Sequence, residues 1–157
     1  MNKKSIRWYE ITPADIEGKG WKDTEAPFDR LPAKIKDTLP HVWNNSHSST
    51  GMCVFFNTDS TSFHVKYTLG SPQIGEQNFN VAAHCGVDLY FYDTKEKRWR
   101  WGSAVPHFTI KDQNPEVTLL DGIPSKSRRC RMYMPMRNQL LKLEIGVDSD
   151  AKFELVA

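Results

Sequence analysis

The chain has 157 residues, 39% hydrophobic and 25% charged, with 21 basic against 19 acidic side chains. That length suits one domain, which can bury roughly 68–70% of its unfolded surface without help from a metal or disulfides. A formal charge of +2 is too weak a field to argue for nucleic acid or an anionic membrane, and no stretch approaches a membrane span.

The N-terminus, Met1-Asn2-Lys3-Lys4-Ser5-Ile6-Arg7-Trp8, is basic but lacks the apolar stretch of a secretory leader. As it stands the chain reads as cytoplasmic, or as secreted if a leader has been removed. The first forty or so residues read as irregular, a segment 1–41 packed on the rest of the domain. Within it, Thr12-Pro13-Ala14-Asp15 joins a hydroxyl cap to proline at the first helical position, which predicts one helical turn ended by Gly18-Lys19-Gly20. A second short helix is expected over 32–39, with Leu31, Ile35 and Leu39 on one face and Pro40 beyond.

From Val42 onward the hydrophobic period changes to two. The clearest strand pair is 52–57 and 62–69, joined by Thr58-Asp59-Ser60-Thr61. Phe63, Val65, Tyr67 and Leu69 share one face of the second strand and His64, Lys66 and Thr68 the other. A one-residue slip of that stripe would forfeit roughly 6–12 kcal/mol, as much as a whole domain's stability. The alternation recurs in Val87, Leu89 and Phe91 against Asp88, Tyr90 and Tyr92, and in Cys130, Met132 and Met134 against Arg129, Arg131 and Tyr133. It appears again in Leu141, Leu143 and Ile145 against Lys142 and Glu144, and in Phe153 and Leu155 against Lys152 and Glu154. Trp99-Arg100-Trp101 and Val117-Thr118-Leu119-Leu120 supply two more strands, and turn residues separate them all. Eight or nine strands without a long helix predict an all-β domain, an antiparallel jelly-roll-like β-sandwich with one or two short N-terminal helices. Residues 1–157 form a single such domain in this reading.

No pattern for catalysis stands out. No glycines frame a serine as Gly-x-Ser-x-Gly. Ser46-His47-Ser48-Ser49-Thr50-Gly51 reads as a polar turn, and His84-Cys85, placed on a strand, would point to opposite faces. His41, His47, His64, His84 and His107 make no HxH or HExxH pair, so no metal site and no cofactor are expected. Asp88 and Glu144 form a glycosidase pair only if they lie about 5–9.5 Å apart, and Glu144 alternates with core residues as a solvated charge does. Cys53, Cys85 and Cys130 are widely spaced and lie in or beside apolar runs, so buried free thiols are expected. The basic cluster Lys126, Arg128, Arg129 and Arg131 reads as a solvated loop running into a strand edge.

Two features are more informative. Asp88 sits between Val87 and Leu89, and if buried it needs hydrogen bonds or a cation. Arg30 is the candidate partner, making Asp88 and Arg30 a structural clamp that ties the N-terminal segment to the sandwich. Tyr90 and Tyr92 share a face, and a turn at Asp93 to Lys97 would lay them beside Trp99, Arg100 and Trp101. Such a platform either stacks on a sugar ring or receives a partner domain; packed sheet surface is the equal alternative.

Several segments also resemble one known family. Ser49-Thr50-Gly51-Met52-Cys53-Val54-Phe55-Phe56-Asn57-Thr58-Asp59-Ser60 resembles the opening strand of the N-terminal domain of SGNH/GDSL-type esterases. Gly86-Val87-Asp88-Leu89-Tyr90 resembles that family's "GlDLY" strand, and Arg98-Trp99-Arg100-Trp101 its "kWrwv" strand. Arg131-Met132-Tyr133-Met134-Pro135-Met136-Arg137-Asn138 resembles its "YLPLYN" segment, departing from it where Met136-Arg137 replaces Leu-Tyr. Leu143-Glu144-Ile145-Gly146-Val147 matches "LeIGV", and Arg30-Leu31-Pro32 completes a set running in the family's order over about 28–156. The resemblance implies a jelly-roll-like accessory sandwich preceding a covalently linked SGNH catalytic domain, expected after residue 157. None of the catalytic residues of that second domain can be assigned here.

The leading expectation is therefore a non-catalytic accessory domain of an esterase or acylhydrolase acting on acyl esters, with carbohydrate esters the favoured class. The alternative is an independent carbohydrate-binding module. Tyr90, Tyr92, Trp99, Trp101, Arg100, Tyr133 and Asn138 are the ligand or domain-interface candidates. Oligomeric state is open.

Overall fold

The computed structural model describes residues 5–106 and 109–156. Ten strands are found among them: β1 (Ile6–Ile11), β2 (Ile16–Glu17), β3 (Cys53–Thr58), β4 (Phe63–Leu69), β5 (Asp88–Asp93), β6 (Arg98–Ala104), β7 (Glu116–Leu120), β8 (Arg128–Tyr133), β9 (Leu140–Asp148) and β10 (Phe153–Val156). Two short helices, α1 (Pro40–Ser46) and α2 (Val81–Cys85), accompany them. One sheet runs β1-β9-β4-β7 and the other β10-β3-β8-β5-β6, with β2 added to β3, and every pairing is antiparallel.

Chain order explains the closure. Among the described residues β5 and β6 form a tight hairpin, whereas β3 to β4, β4 to β5, β6 to β7, β7 to β8 and β8 to β9 each cross between sheets. This is the interleaving of two Greek keys that defines a jelly roll. It corrects the expected hairpin of 52–57 with 62–69, since β3 and β4 lie in opposite sheets. The connecting residues are consumed in that crossing. The buried Asp148 carboxylate accepts from the Thr61 N–H at 2.8 Å and hydroxyl at 2.6 Å, and from the Ser62 hydroxyl at 2.6 Å.

The stripes meet between the sheets. Val54, Phe56, Phe63, Val65, Leu69, Leu89, Cys130, Met132, Leu143 and Ile145 are fully buried in one cluster. The three cysteines are buried free thiols, and burial pushes the Cys130 thiol up to about 12. The β9 stripe differs by one residue. The register slips between Thr68 and Leu69, so Leu69 pairs with Leu140 while Lys142 pairs with Thr68. Leu141 is the extra residue of that bulge and is exposed, and Leu140 takes the inward place.

The N-terminal segment is more ordered than expected. β1 adds an edge strand beside β9, and β2 pairs with β3. Pro13–Asp15 forms the predicted turn, where the Asp15 carboxylate accepts from the Thr12 N–H at 2.7 Å and hydroxyl at 2.6 Å. The helix expected over 32–39 is only a 3₁₀ turn, Ala33–Ile35; Pro40 begins α1 rather than ending a helix. Proline at a helix's first position loses no hydrogen bond, which outweighed its reading as a stop signal.

Candidate functional site

The β5–β6 hairpin sets Tyr92 opposite Trp99 and Tyr90 opposite Trp101 on the outer face of the larger sheet. β8 lies on the other side of β5 and brings Arg131 opposite Tyr90. β3 is next in the sheet, with Phe55 opposite Arg131. The Arg131 guanidinium lies 4.5 Å from the centre of the Trp99 ring, 4.7 Å from Tyr133 and 5.5 Å from Tyr90. Trp99 touches Phe55 at 5.6 Å and meets Tyr92 edge-on at 5.3 Å. Tyr90 meets Tyr133 edge-on at 5.7 Å. These rings cover one another around a cation, so most of the platform is packed sheet surface. Trp101 is the exception, with 63% of its surface exposed. Arg100 is held at the hairpin, 2.6 Å from Glu96 and 3.7 Å from Asp93.

Asp88 opens β5 on the same face, opposite Tyr133 and Ala104. It lines a cleft of about 270 Å³ with Thr50, Gly51, Tyr133 and Met136 among its walls. Burial raises the carboxyl above its usual range, while the Trp101 indole N–H, donating to it, pulls the other way. The expected partner does not reach it. Arg30 Nε donates to the Ser48 carbonyl at 2.8 Å and its Nη2 to the Asn45 carbonyl at 2.6 Å. The C-terminal end of α1 supplies the unpaired carbonyls that a guanidinium satisfies. The tie between the N-terminal segment and the sandwich is made by Asp29 instead. Its fully buried carboxylate meets His47 Nδ1 at 2.9 Å and Gln139 Nε2 at 3.0 Å. Asp29 adjoins Arg30 in sequence.

Asn138 is also structural. It is buried, accepts from the Ser71 N–H at 3.1 Å and donates to the Gln73 carbonyl at 2.9 Å, latching the loop before α2. Its side chain is spent within the domain. Met136, exposed beside the Asp88 cleft, takes its place at the surface.

Three constellations with catalytic residue types occur elsewhere. Ser62 Oγ lies 2.6 Å from Asp148 and 3.0 Å from His64 Nε2. A serine nucleophile needs the imidazole between it and the carboxylate; here the serine sits in the middle and is buried. His84 and Cys85 lie on α2 rather than on a strand, so His84 Nδ1 comes within 3.1 Å of the thiol. The sulfur is fully buried and its pKa is raised by burial, the opposite of an activated thiolate. Asp88 and Glu144 stand on outward faces of opposite sheets, farther apart than the roughly 10 Å between packed sheets and beyond a glycosidase pair. Glu144 is a solvated strand charge, 3.4 Å from Lys66 and 3.1 Å from Lys142. No three metal-ligating side chains converge among the described residues, and no helix there is long and apolar enough to cross a membrane. His107 lies outside the described residues.

The strand bearing Asp88, Gly86-Val87-Asp88-Leu89-Tyr90, spells the signature of a named family, GxDLY, the N-terminus of SGNH hydrolase-type esterases, whose model matches residues 6–153. The chain belongs to this family. Two solved structures share the fold of this GxDLY domain. One, described as a GDSL-like lipase from Bacteroides ovatus, superposes with a TM-score of 0.82 at 24% identity over 96% of this chain. The other, the salicylyl-acyltransferase SsfX3 from a tetracycline biosynthetic pathway, gives 0.62 at 18% identity over 95%. The GxDLY domain spans 43% and 41% of those two chains. A search of curated proteins found no match.

Proposed function

We propose that this GxDLY domain is a non-catalytic accessory domain of an SGNH-type esterase, linked to the catalytic domain and docked against it through the Asp88 end of the larger sheet. The domain would form one rim of an active site that acts on acyl esters, carbohydrate esters among them. The observation that carries the reading is the exposed Trp101 indole beside a half-buried carboxylate, Asp88, that makes no ion pair among the described residues. An uncovered indole and an exposed Met136 flanking a desolvated charge are costly in water and suit a partner surface. β10 belongs to the same sheet and runs towards this end, antiparallel to β3 with Val156 opposite Phe55.

The carbohydrate-binding module is the weaker alternative. A sugar-stacking surface needs open rings, and Trp99, Tyr92, Tyr90 and Tyr133 spend theirs on one another and on Arg131.

The test is ester hydrolysis by the full-length enzyme carrying Trp101→Ala or Met136→Asp, with Lys142→Ala on the opposite sheet as control. The proposal expects several-fold lower activity for the first two and no change for the control. Unchanged activity, with limited proteolysis releasing the domain no faster, would contradict it.

A further inference from the structure

The opposite end of the same sheet carries a basic recess. Two clefts of about 440 and 580 Å³ meet there and share Thr94, Lys126, Ser127 and Arg129. Lys95 lines the first and Lys152 the second. None of these four cations makes an ion pair among the described residues. Three acids line the clefts, Asp93, Asp59 and Glu154, fewer than the cations around them, and the first two are engaged by the backbone. Asp93 caps the turn through the N–H groups of Lys95 and Glu96 and faces Arg100, and Asp59 accepts from the Lys152 N–H at 2.8 Å.

The framework beneath is fixed. Arg128 donates to the carbonyls of Lys126 at 2.8 Å and Pro124 at 2.6 Å, bracing the loop that presents Lys126 and Ser127. The Arg129 guanidinium lies 5.8 Å from the Phe55 ring centre and 5.9 Å from that of Trp99, which orients it without neutralising it. Tyr92 walls one side of the recess, and the Ser127 and Thr94 hydroxyls add neutral donors.

We infer that this recess binds the oxyanion groups, carboxylate or sulfate, of an acidic polysaccharide. The unneutralised cations call for anionic oxygens. The Ser127 and Thr94 hydroxyls beside those cations suit the hydroxyl-rich rim of a sugar chain. A nucleic acid fits less well, because the chain's net charge is only +2 and the cations fill one recess rather than a long stripe. The inference needs only residues of this chain and stands apart from the docking of the Asp88 end.

Affinity electrophoresis of the protein through gels containing polygalacturonate, dextran sulfate or neutral dextran tests it. Retardation by polygalacturonate identifies carboxylate recognition, and retardation by dextran sulfate alone identifies sulfate. Either should disappear between about 0.05 M and 0.5 M salt, as screening shortens the field. The double variant Lys126→Glu with Arg129→Glu should bind about tenfold more weakly or worse, given the modest contribution of each exposed ion pair. The milder Lys126→Gln with Arg129→Gln, less liable to disturb folding, should move the same way. Lys34→Glu with Lys111→Glu makes the same change in net charge elsewhere and should leave retardation within about twofold of the wild type. The inference is overturned by no retardation in either polyanion, by equal loss in the control variant, or by a single-stranded oligonucleotide retarded as strongly as the polysaccharides.

Discussion

On the outer face of the four-stranded sheet, Lys66 lies 4.4 Å from the Trp8 ring centre and pairs with Glu144, which Lys142 also meets, while Thr118 answers His64 at 3.0 Å. On the outer face of the larger sheet, Arg131 is ringed by Trp99, Tyr133, Tyr90 and Phe55, and no carboxylate pairs with it among the described residues. Asp88 is half-buried with an indole rather than a cation, and Trp101 stands in the open. The first face neutralises its charges locally, as a sheet facing water does. The second keeps charge and apolar area unmatched within this chain. Two faces of one sandwich thus differ in whether their polar groups are already satisfied, and that difference is the physical basis for the proposal that one of them meets a partner.

The inner face shared by both sheets sets the scale for breaking this comparison. Phe56→Ala should cost about 3–5 kcal/mol by opening a cavity where no solvent reaches, measured by denaturant unfolding. Arg131→Ala should cost about 1–2 kcal/mol, because its ring contacts are partly desolvated, whereas Lys66→Ala should cost under about 1 kcal/mol. Equal losses at the two sites would remove the distinction between the faces.

Asp88 gives the smallest effect and the sharpest sign. With its folded pKa raised by burial, the domain holds this proton more tightly than the unfolded chain does. The carboxyl therefore weakens the fold as the pH rises through that folded value and is harmless below the unfolded one. Asp88→Asn should raise Tm modestly at neutral pH, with the gap closing near about pH 3, where both states are protonated. A variant less stable at neutral pH would mean that the ionised carboxylate is already well served within the domain.

Much of this was legible in the sequence because period-two stripes depend on burial alone. The stripes of β4, β5 and β8, the hairpin at Asp93 and the pairing of Tyr92 with Trp99 follow from alternation and turn chemistry. The crossing from β3 to β4 did not follow, because a four-residue link suits a hairpin and a crossover equally well. Leu141 misled because a bulge changes the face without changing composition. β1 was missed because an edge strand, half exposed on both sides, alternates only weakly. In the site, the ring positions were readable from register, whereas the partners of Asp88, Arg30 and Asn138 depend on which loops meet in space. Family order supplied the neighbourhood that residue patterns lacked.

Hydroxyl-radical footprinting of the proposed two-domain protein against the isolated GxDLY domain tests the proposed partner face most directly, since indole and thioether side chains oxidise readily when wet. Docking of the Asp88 end predicts strong protection of Trp101 and Met136 in the full-length protein, with Trp21, exposed elsewhere on the domain, reacting equally in both. Equal oxidation of Trp101 and Met136 in the two samples would contradict it.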